Sequence, residues 1–362
     1  MTDPWASYLQ KIGVADPAGS GWKVVALTFL LAAAITWYLT PRVRDFALKV
    51  GWADEGGGRK MHQGQLPNAG GLAVYAGVVG AIAVAGAVRP IVVDDVLLKL
   101  FAILLGGTLL LFVGFLDDQF GLSPLVRLVA QTLAALIAYA AGVRIEAAFG
   151  TAIDPLLSLL LTWLWLVGIT NAMNLIDGLD GLAGGIAFIT SVGLLFASAQ
   201  YETRAAATLV LAALAGAALG FLRYNLPPSR IIMGDAGAYF FGYVLAAAAI
   251  LGYVKITTVF SLVPVALVLA VPILDTTQVF FKRLLGGKNP LSTPGRDHLH
   301  HELLHRGLSP WRAVAVLWGL TLLAVVTALW LQGIPPLAIF TSALLSGALL
   351  TLVVWVKRRE ER

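Results

Sequence analysis

The chain has 362 residues, 59% hydrophobic and 12% charged, with a formal net charge of +5 and no cysteine. Soluble domains carry about 25% charged residues, so the composition excludes an ordinary soluble globule and points to an integral membrane protein. Disulfides and cysteine-ligated metals are excluded too, and no nucleic-acid partner is expected. One polytopic domain over residues 1–362 is expected rather than several soluble ones.

Residues 1–21 hold Asp3, Lys11 and Asp16 and lack a basic segment followed by an apolar core, so no signal peptide is expected. A spanning helix needs about 20 mainly apolar residues. The first such run is 22–40, followed by a long polar connection, 41–69, that carries Arg59-Lys60-Met61-His62. Runs 70–88 and 96–116 come next, and the second ends on Asp117-Asp118-Gln-Phe-Gly121-Leu-Ser123-Pro124. Adjacent carboxylates on a helix point about 100° apart, so one can face a metal and the other a cation such as Lys60. The turn residues Gly121 and Ser123-Pro124 then start run 124–142.

Run 156–173 ends on Asn171-Ala-Met-Asn174-Leu-Ile-Asp177-Gly-Leu-Asp180-Gly. Asn171, Asn174 and Asp177 recur every three residues, which keeps one helix face polar. The neighbouring glycines suit backbone approach to phosphate or close helix packing. Runs 182–200 and 205–223 lead to Met233-Gly-Asp235-Ala-Gly, at the start of run 236–254. Asp235 suits a helix N-cap or a ligand for Mg²⁺, a hard cation that prefers carboxylate and phosphate oxygens. Run 258–280 contains Asp275, to which the sequence assigns no role. The connection 281–311 holds Arg296-Asp-His298-Leu-His300-His301-Glu-Leu-Leu-His305, and runs 312–331 and 335–356 complete the chain. The His cluster admits a zinc reading. The nearby Lys288, Arg296 and Arg306 favour a diphosphate gripped by charge-assisted hydrogen bonds.

Eleven apolar runs without β-barrel alternation predict an all-α polytopic membrane protein. Most of the 25 Lys and Arg fall in the connections 41–69, 117–127, 223–235 and 281–312 and in the tail 357–362. The positive-inside rule makes that set cytoplasmic, with the N-terminus outside and the C-terminus inside. Asp117, Asp118, Asp177, Asp180 and Asp235 then share one face of the membrane with every histidine, His62 included. Carboxylates near hydrocarbon are costly and mark function. A transporter would place its polar groups nearer mid-span and on both faces.

In their order and spacing over residues of about 50–310, these segments resemble the polyprenyl-phosphate N-acetylhexosamine-1-phosphate transferases, glycosyltransferase family 4. The His298-Leu-His300-His301 form is similar to the WecA/TagO-like branch rather than to the related phospho-N-acetylmuramoyl-pentapeptide transferases. Two positions depart from the family pattern: Gly56 replaces a proline and Ala238 a serine. The resemblance implies transfer of an N-acetylhexosamine-1-phosphate, GlcNAc-1-phosphate foremost, from a UDP-sugar to undecaprenyl phosphate at the cytoplasmic face of a bacterial inner membrane. UDP-N-acetylmuramoyl-pentapeptide and modified UDP-N-acetylhexosamines are the alternative donors. Mg²⁺ is the implied cofactor, with Mn²⁺ as a substitute, and a homodimer is suggested. Asp235 and Asp177 are implied as metal ligands. Asp117, Asp118, Lys60, Asp177, Asp180 and His301 are implied in catalysis, with Asp117 paired to Lys60 and orienting the lipid phosphate. Asn171, Asn174, Arg296, His298, His300 and His62 are implied in substrate binding.

Overall fold

A computed structural model describes residues 4–14, 21–55, 65–88, 94–148, 151–253, 262–287 and 297–360. A short helix α1 (Pro4–Lys11) precedes α2 (Gly21–Val50), the paired strands β1 (Ala53–Glu55) and β2 (Gln65–Pro67), and α3 (Gly70–Val88). Helices α4 (Asp94–Phe120) and α5 (Pro124–Ala140) follow, then a small antiparallel pair β3 (Ala147–Ala148) and β4 (Thr151–Ala152). The remaining helices are α6 (Pro155–Ile176), α7 (Leu182–Ser198), α8 (Ala205–Asn225), α9 (Gly234–Tyr253), α10 (Leu262–Val268), α11 (Ala270–Leu285), α12 (Leu299–His305), α13 (Pro310–Leu331) and α14 (Pro336–Glu360). Eight of these are long and apolar enough to cross a membrane, and α5 and α7 are shorter apolar helices. The chain is a multi-pass, all-helical membrane protein.

Local chemistry explains the boundaries. Ser123 caps α5 and Asp154 caps α6, each followed by Pro at the first helical position, where a missing N–H costs nothing. The run expected to stop at residue 40 instead continues through Pro41 to Val50. That last stretch is anchored by packing: Phe46 meets Trp52 edge-on at 5.4 Å, and Trp52 meets Phe115 of α4 at 4.7 Å. The ninth apolar run is broken into α10 and α11. Pro272 cannot donate to the Val268 carbonyl four residues back. Thr190 of α7 donates its Oγ1 proton to that carbonyl instead, at 3.4 Å.

Helices α8 and α9 form the hub and are almost wholly buried. Helices α2, α3 and α7 pack on α8, and α4 and α6 pack on α9. The helices approach closely through small residues. A methyl group at Gly216 would lie 2.1 Å from the Phe29 carbonyl, and one at Gly71 would lie 2.3 Å from the Gly237 nitrogen.

The ends of the described chain lie at opposite ends of the bundle. Tyr8 shares a hydrogen bond with Thr341, near the start of α14, at 2.7 Å. Lys357, near the finish of α14, reaches the carbonyls beyond α8. This separation suits an odd number of spans.

Candidate active site

The amino end of α9 is the centre of the site. Gly70 and Gly71 donate their N–H groups to the carbonyls of Ile232 and Met233, and Ile232 donates to Pro67. These bonds fix the segment that enters α9. Gly234 stands at φ +72°, where a methyl group would lie 2.3 Å from the Asn68 carbonyl and 2.6 Å from Asp118. Only glycine fits that turn. From the end of α4, the Asp118 carboxylate accepts the N–H groups of Asp235 (2.9 Å) and Ala236 (3.2 Å). Asp118 therefore satisfies the first amides of α9 and lies at the positive end of its dipole. The cap role considered for Asp235 falls to Asp118. This leaves the Asp235 side chain in the first turn, accepting from Asn174 Nδ2 at 2.6 Å.

Asp177 ends α6 beside them. Desolvation in the cavity wall holds its carboxyl well above the usual carboxylate range, and the charges of Asp235, Asp118 and Asp180 push it the same way. Asp180 accepts the Ser229 N–H at 3.0 Å. Asp118, Asn174, Asp177, Asp180, Asp235 and His301 line one cavity of about 660 Å³, together with Asn225, Pro227, Pro228, Pro310 and Trp311.

Asp117 takes another direction. Its side chain is 4% exposed and pairs with Arg127 of α5 at 3.3 Å. It also accepts from Tyr239 of α9 (3.1 Å) and from the Leu122 N–H (2.7 Å). Its expected partner Lys60 lies outside the described residues, as do His62 and Arg296. Asn171 is likewise turned from the cavity. It forms an amide pair with Gln131 of α5, donating at 2.7 Å and accepting at 3.3 Å.

The histidines divide into three settings. His298 Nδ1 bonds Asp275 Oδ2 at 2.7 Å, and Asp275 Oδ1 accepts the Leu299 N–H at 2.6 Å. Asp275, unassigned from sequence, thus caps α12 and fixes the His298 ring. His300 is 1% exposed, and neither ring nitrogen has a hydrogen-bond partner among the described residues. Burial, aided by His301 and His298 and opposed by Asp275, pushes its pKa down to about 3, so it is neutral near pH 7. The sequence reading puts all three histidines on a diphosphate, and here His300 is buried while His301 alone of the three lines the cavity. His300 instead packs against Gly178, where a methyl group would lie 2.3 Å from Nε2.

The family model described as Glycosyl transferase family 4 matches residues 100–253, which include every acidic and amide residue that lines the cavity. A Bacillus subtilis relative, named as a probable undecaprenyl-phosphate N-acetylglucosaminyl 1-phosphate transferase, is 34% identical over 315 residues, or 85% of each chain. A decaprenyl-phosphate N-acetylglucosaminephosphotransferase of Mycobacterium tuberculosis is 33% identical over 373 residues, covering 95% of this chain and 92% of its own. An undecaprenyl-phosphate alpha-N-acetylglucosaminyl 1-phosphate transferase of Thermotoga maritima is 30% identical over 295 residues, covering 80% of this chain and 86% of its own.

The chain belongs to glycosyl transferase family 4.

Within this family 4 member, several cavity residues escaped the reading of the sequence. Asn225 accepts the Gly181 N–H at 3.0 Å and donates to the Ile231 carbonyl at 3.1 Å, joining the Asp180 turn to the approach to α9. Its signal was an amide before Pro-Pro at the end of an apolar run. Trp311 meets Trp318 edge-on at 6.2 Å, and Trp318 donates to the Leu182 carbonyl at 3.4 Å. A tryptophan at a span end reads equally well as an interfacial anchor.

Among the described residues, no three His, Asp or Glu side chains form a ready-made metal cage. Mg²⁺ does not require one, since it commonly takes one or two protein carboxylates and completes its shell with water and substrate phosphate. Asp177 and Asp235 fit such an ion, because both line the cavity and the charge of Asp235 disfavours that of Asp177, which a divalent cation would offset.

The burial of Asp177, with that repulsion, yields a stability prediction. A carboxyl whose pKa is raised on folding favours the fold at low pH and loses that contribution as pH rises through the folded value. In metal-free buffer above that value, Asp177→Asn is expected to raise the thermal midpoint by about 1–3 °C while abolishing turnover. A lower midpoint in the variant would remove the proposed repulsion.

Proposed function

We propose that the chain transfers GlcNAc-1-phosphate from UDP-GlcNAc to a polyprenyl phosphate, undecaprenyl phosphate foremost, and releases UMP. One observation carries this reading. Carboxylates from three separate membrane ends, with Asn174 and His301, converge on one cavity at the same end of the bundle as the basic finish of α14. Its size suits a nucleotide sugar. The names of the relatives supply the acceptor and the sugar.

An oxygen of the lipid phosphate attacks the sugar-linked β-phosphorus. The bond from that phosphorus to the bridging oxygen breaks, and the electron pair leaves with UMP. Such transfers depend on positioning and charge neutralisation more than on covalent help from the protein. Asp235 and Asp177 would hold Mg²⁺, which when bound neutralises the diphosphate and the departing UMP. Asn174 aims the Asp235 carboxylate, and Asp118 fixes the α9 end that carries it. Asp180 and His301 line the donor side. Arg127, held by Asp117 and about one-third exposed, is a cation available to a lipid phosphate at the membrane edge. A phosphate monoester has its second pKa near 6, so the attacking group needs no strong base at neutral pH. The distribution of Lys and Arg supports a cytoplasmic site in the inner membrane.

The test is UMP release in the reconstituted protein. Release is expected from UDP-GlcNAc only when polyprenyl phosphate and Mg²⁺ are both present, with UDP-N-acetylmuramoyl-pentapeptide turned over at least about a hundredfold more slowly. Lipid-independent release would indicate a hydrolase, and preference for the pentapeptide donor would reassign the substrate.

A further inference from the structure

The loop after α8, residues 226–230, forms a cavity wall with little means of holding itself. Pro227 and Pro228 have no N–H to donate. Two of the loop's other amides are used at its edges, Leu226 to the Leu222 carbonyl at 2.9 Å and Arg230 to the Tyr224 carbonyl at 2.8 Å. The Ser229 N–H points to Asp180. The loop is held largely from outside, by the last turn of α14. Lys357 is 2% exposed, and its Nζ donates to the Leu226 carbonyl and, at 2.7 Å, to the Pro228 carbonyl. Glu360, one turn further, pairs with Arg223 on one side of the loop and with Arg230 on the other, at 3.6 Å. Burying an ammonium is costly unless its hydrogen bonds are made, and two of them are made to the loop. Removing Lys357 leaves these carbonyls without that donor and frees the wall that meets Asp180.

We propose that the end of α14 is a positioning element of the active site: Lys357 sets the loop that orients Asp180 and thereby tunes affinity for the water-soluble donor. The loop lines, through Pro227 and Pro228, the cavity read above as the donor's. The proposal rests on the reading given under Proposed function.

The test uses the full chain in membranes, with Lys357→Met, Lys357→Arg and Glu360→Gln. Lys357→Met is expected to raise KM for UDP-GlcNAc roughly tenfold, the scale of a lost charge-assisted hydrogen bond, with KM for polyprenyl phosphate changed less than about twofold. Lys357→Arg should recover most of the loss. An unchanged UDP-GlcNAc KM, or equal rises in both KM values, overturns the proposal. Should Lys357→Met fail to fold, Glu360→Gln gives the same contrast more weakly, and identical KM values for Glu360→Gln and wild type count against the clasp. UMP binding by calorimetry separates this idea from the functional reading. A wild type that binds UMP about tenfold more tightly than Lys357→Met supports the clasp even without turnover of UDP-GlcNAc, and equal affinities overturn it.

Discussion

Asp235→Asn is expected to reduce turnover by about a thousandfold or more while leaving the folded protein as stable as the wild type. The two halves of this expectation have separate causes. Asp235 does not cap its own helix, because Asp118 takes the N–H groups of residues 235 and 236. Its side chain accepts from Asn174 Nδ2 and lies against the Asp117 carboxyl, and an asparagine oxygen can accept the Asn174 bond too. The substitution therefore removes a charge and little structure. Loss of that charge also relieves the repulsion on Asp177, so metal-free stability should hold or rise. Steady-state UMP release and a thermal melt measure both halves. Activity within tenfold of wild type would remove Asp235 from the metal site.

Asp118→Ala should show the opposite pattern, with stability and activity lost together. It strips two hydrogen bonds from the amino end of α9, where a lost cap costs about 1–2 kcal/mol. A drop of several degrees in the thermal midpoint is expected. Turnover should fall by about a hundredfold or more, because α9 then presents Asp235 without a fixed first turn. Asp118→Asn keeps one acceptor oxygen and should retain more stability than the alanine variant. If both variants melt like wild type, Asp118 is not the cap of α9. Gly234 belongs to the same joint, since a side chain there would enter Asp118 itself.

Much of the fold was legible because the bilayer imposes a simple rule: a spanning run must be apolar for about 20 residues. Ten of the eleven runs correspond to single helices, and the ninth to the α10–α11 pair. The departures came from tertiary partners. Nothing near Pro41 in the sequence announces that Trp52 and Phe115 will hold the helix to Val50. Nothing near Pro272 shows that Thr190 will take up the Val268 carbonyl.

The site divides in the same way. Its acidic residues stood out because carboxylates are expensive beside hydrocarbon. Their partners did not, because direction is set by neighbouring helices. Asp117 and Asp118 are adjacent, yet Asp117 pairs with Arg127 of α5 and the Tyr239 hydroxyl, whereas Asp118 takes the first amides of α9. Asn171 and Asn174 share a polar stripe, yet the first joins Gln131 and only the second reaches Asp235. The histidines separate likewise: Asp275 bonds His298, His300 is buried, and His301 lines the cavity.

The most direct measurement is the mass of the lipid product. Purified protein in liposomes, given UDP-GlcNAc, Mg²⁺ and undecaprenyl phosphate, should form undecaprenyl-diphospho-GlcNAc in step with UMP, and Asp235→Asn should form none above background. Stoichiometric UMP without that lipid, or the same lipid yield from Asp235→Asn, would contradict the account.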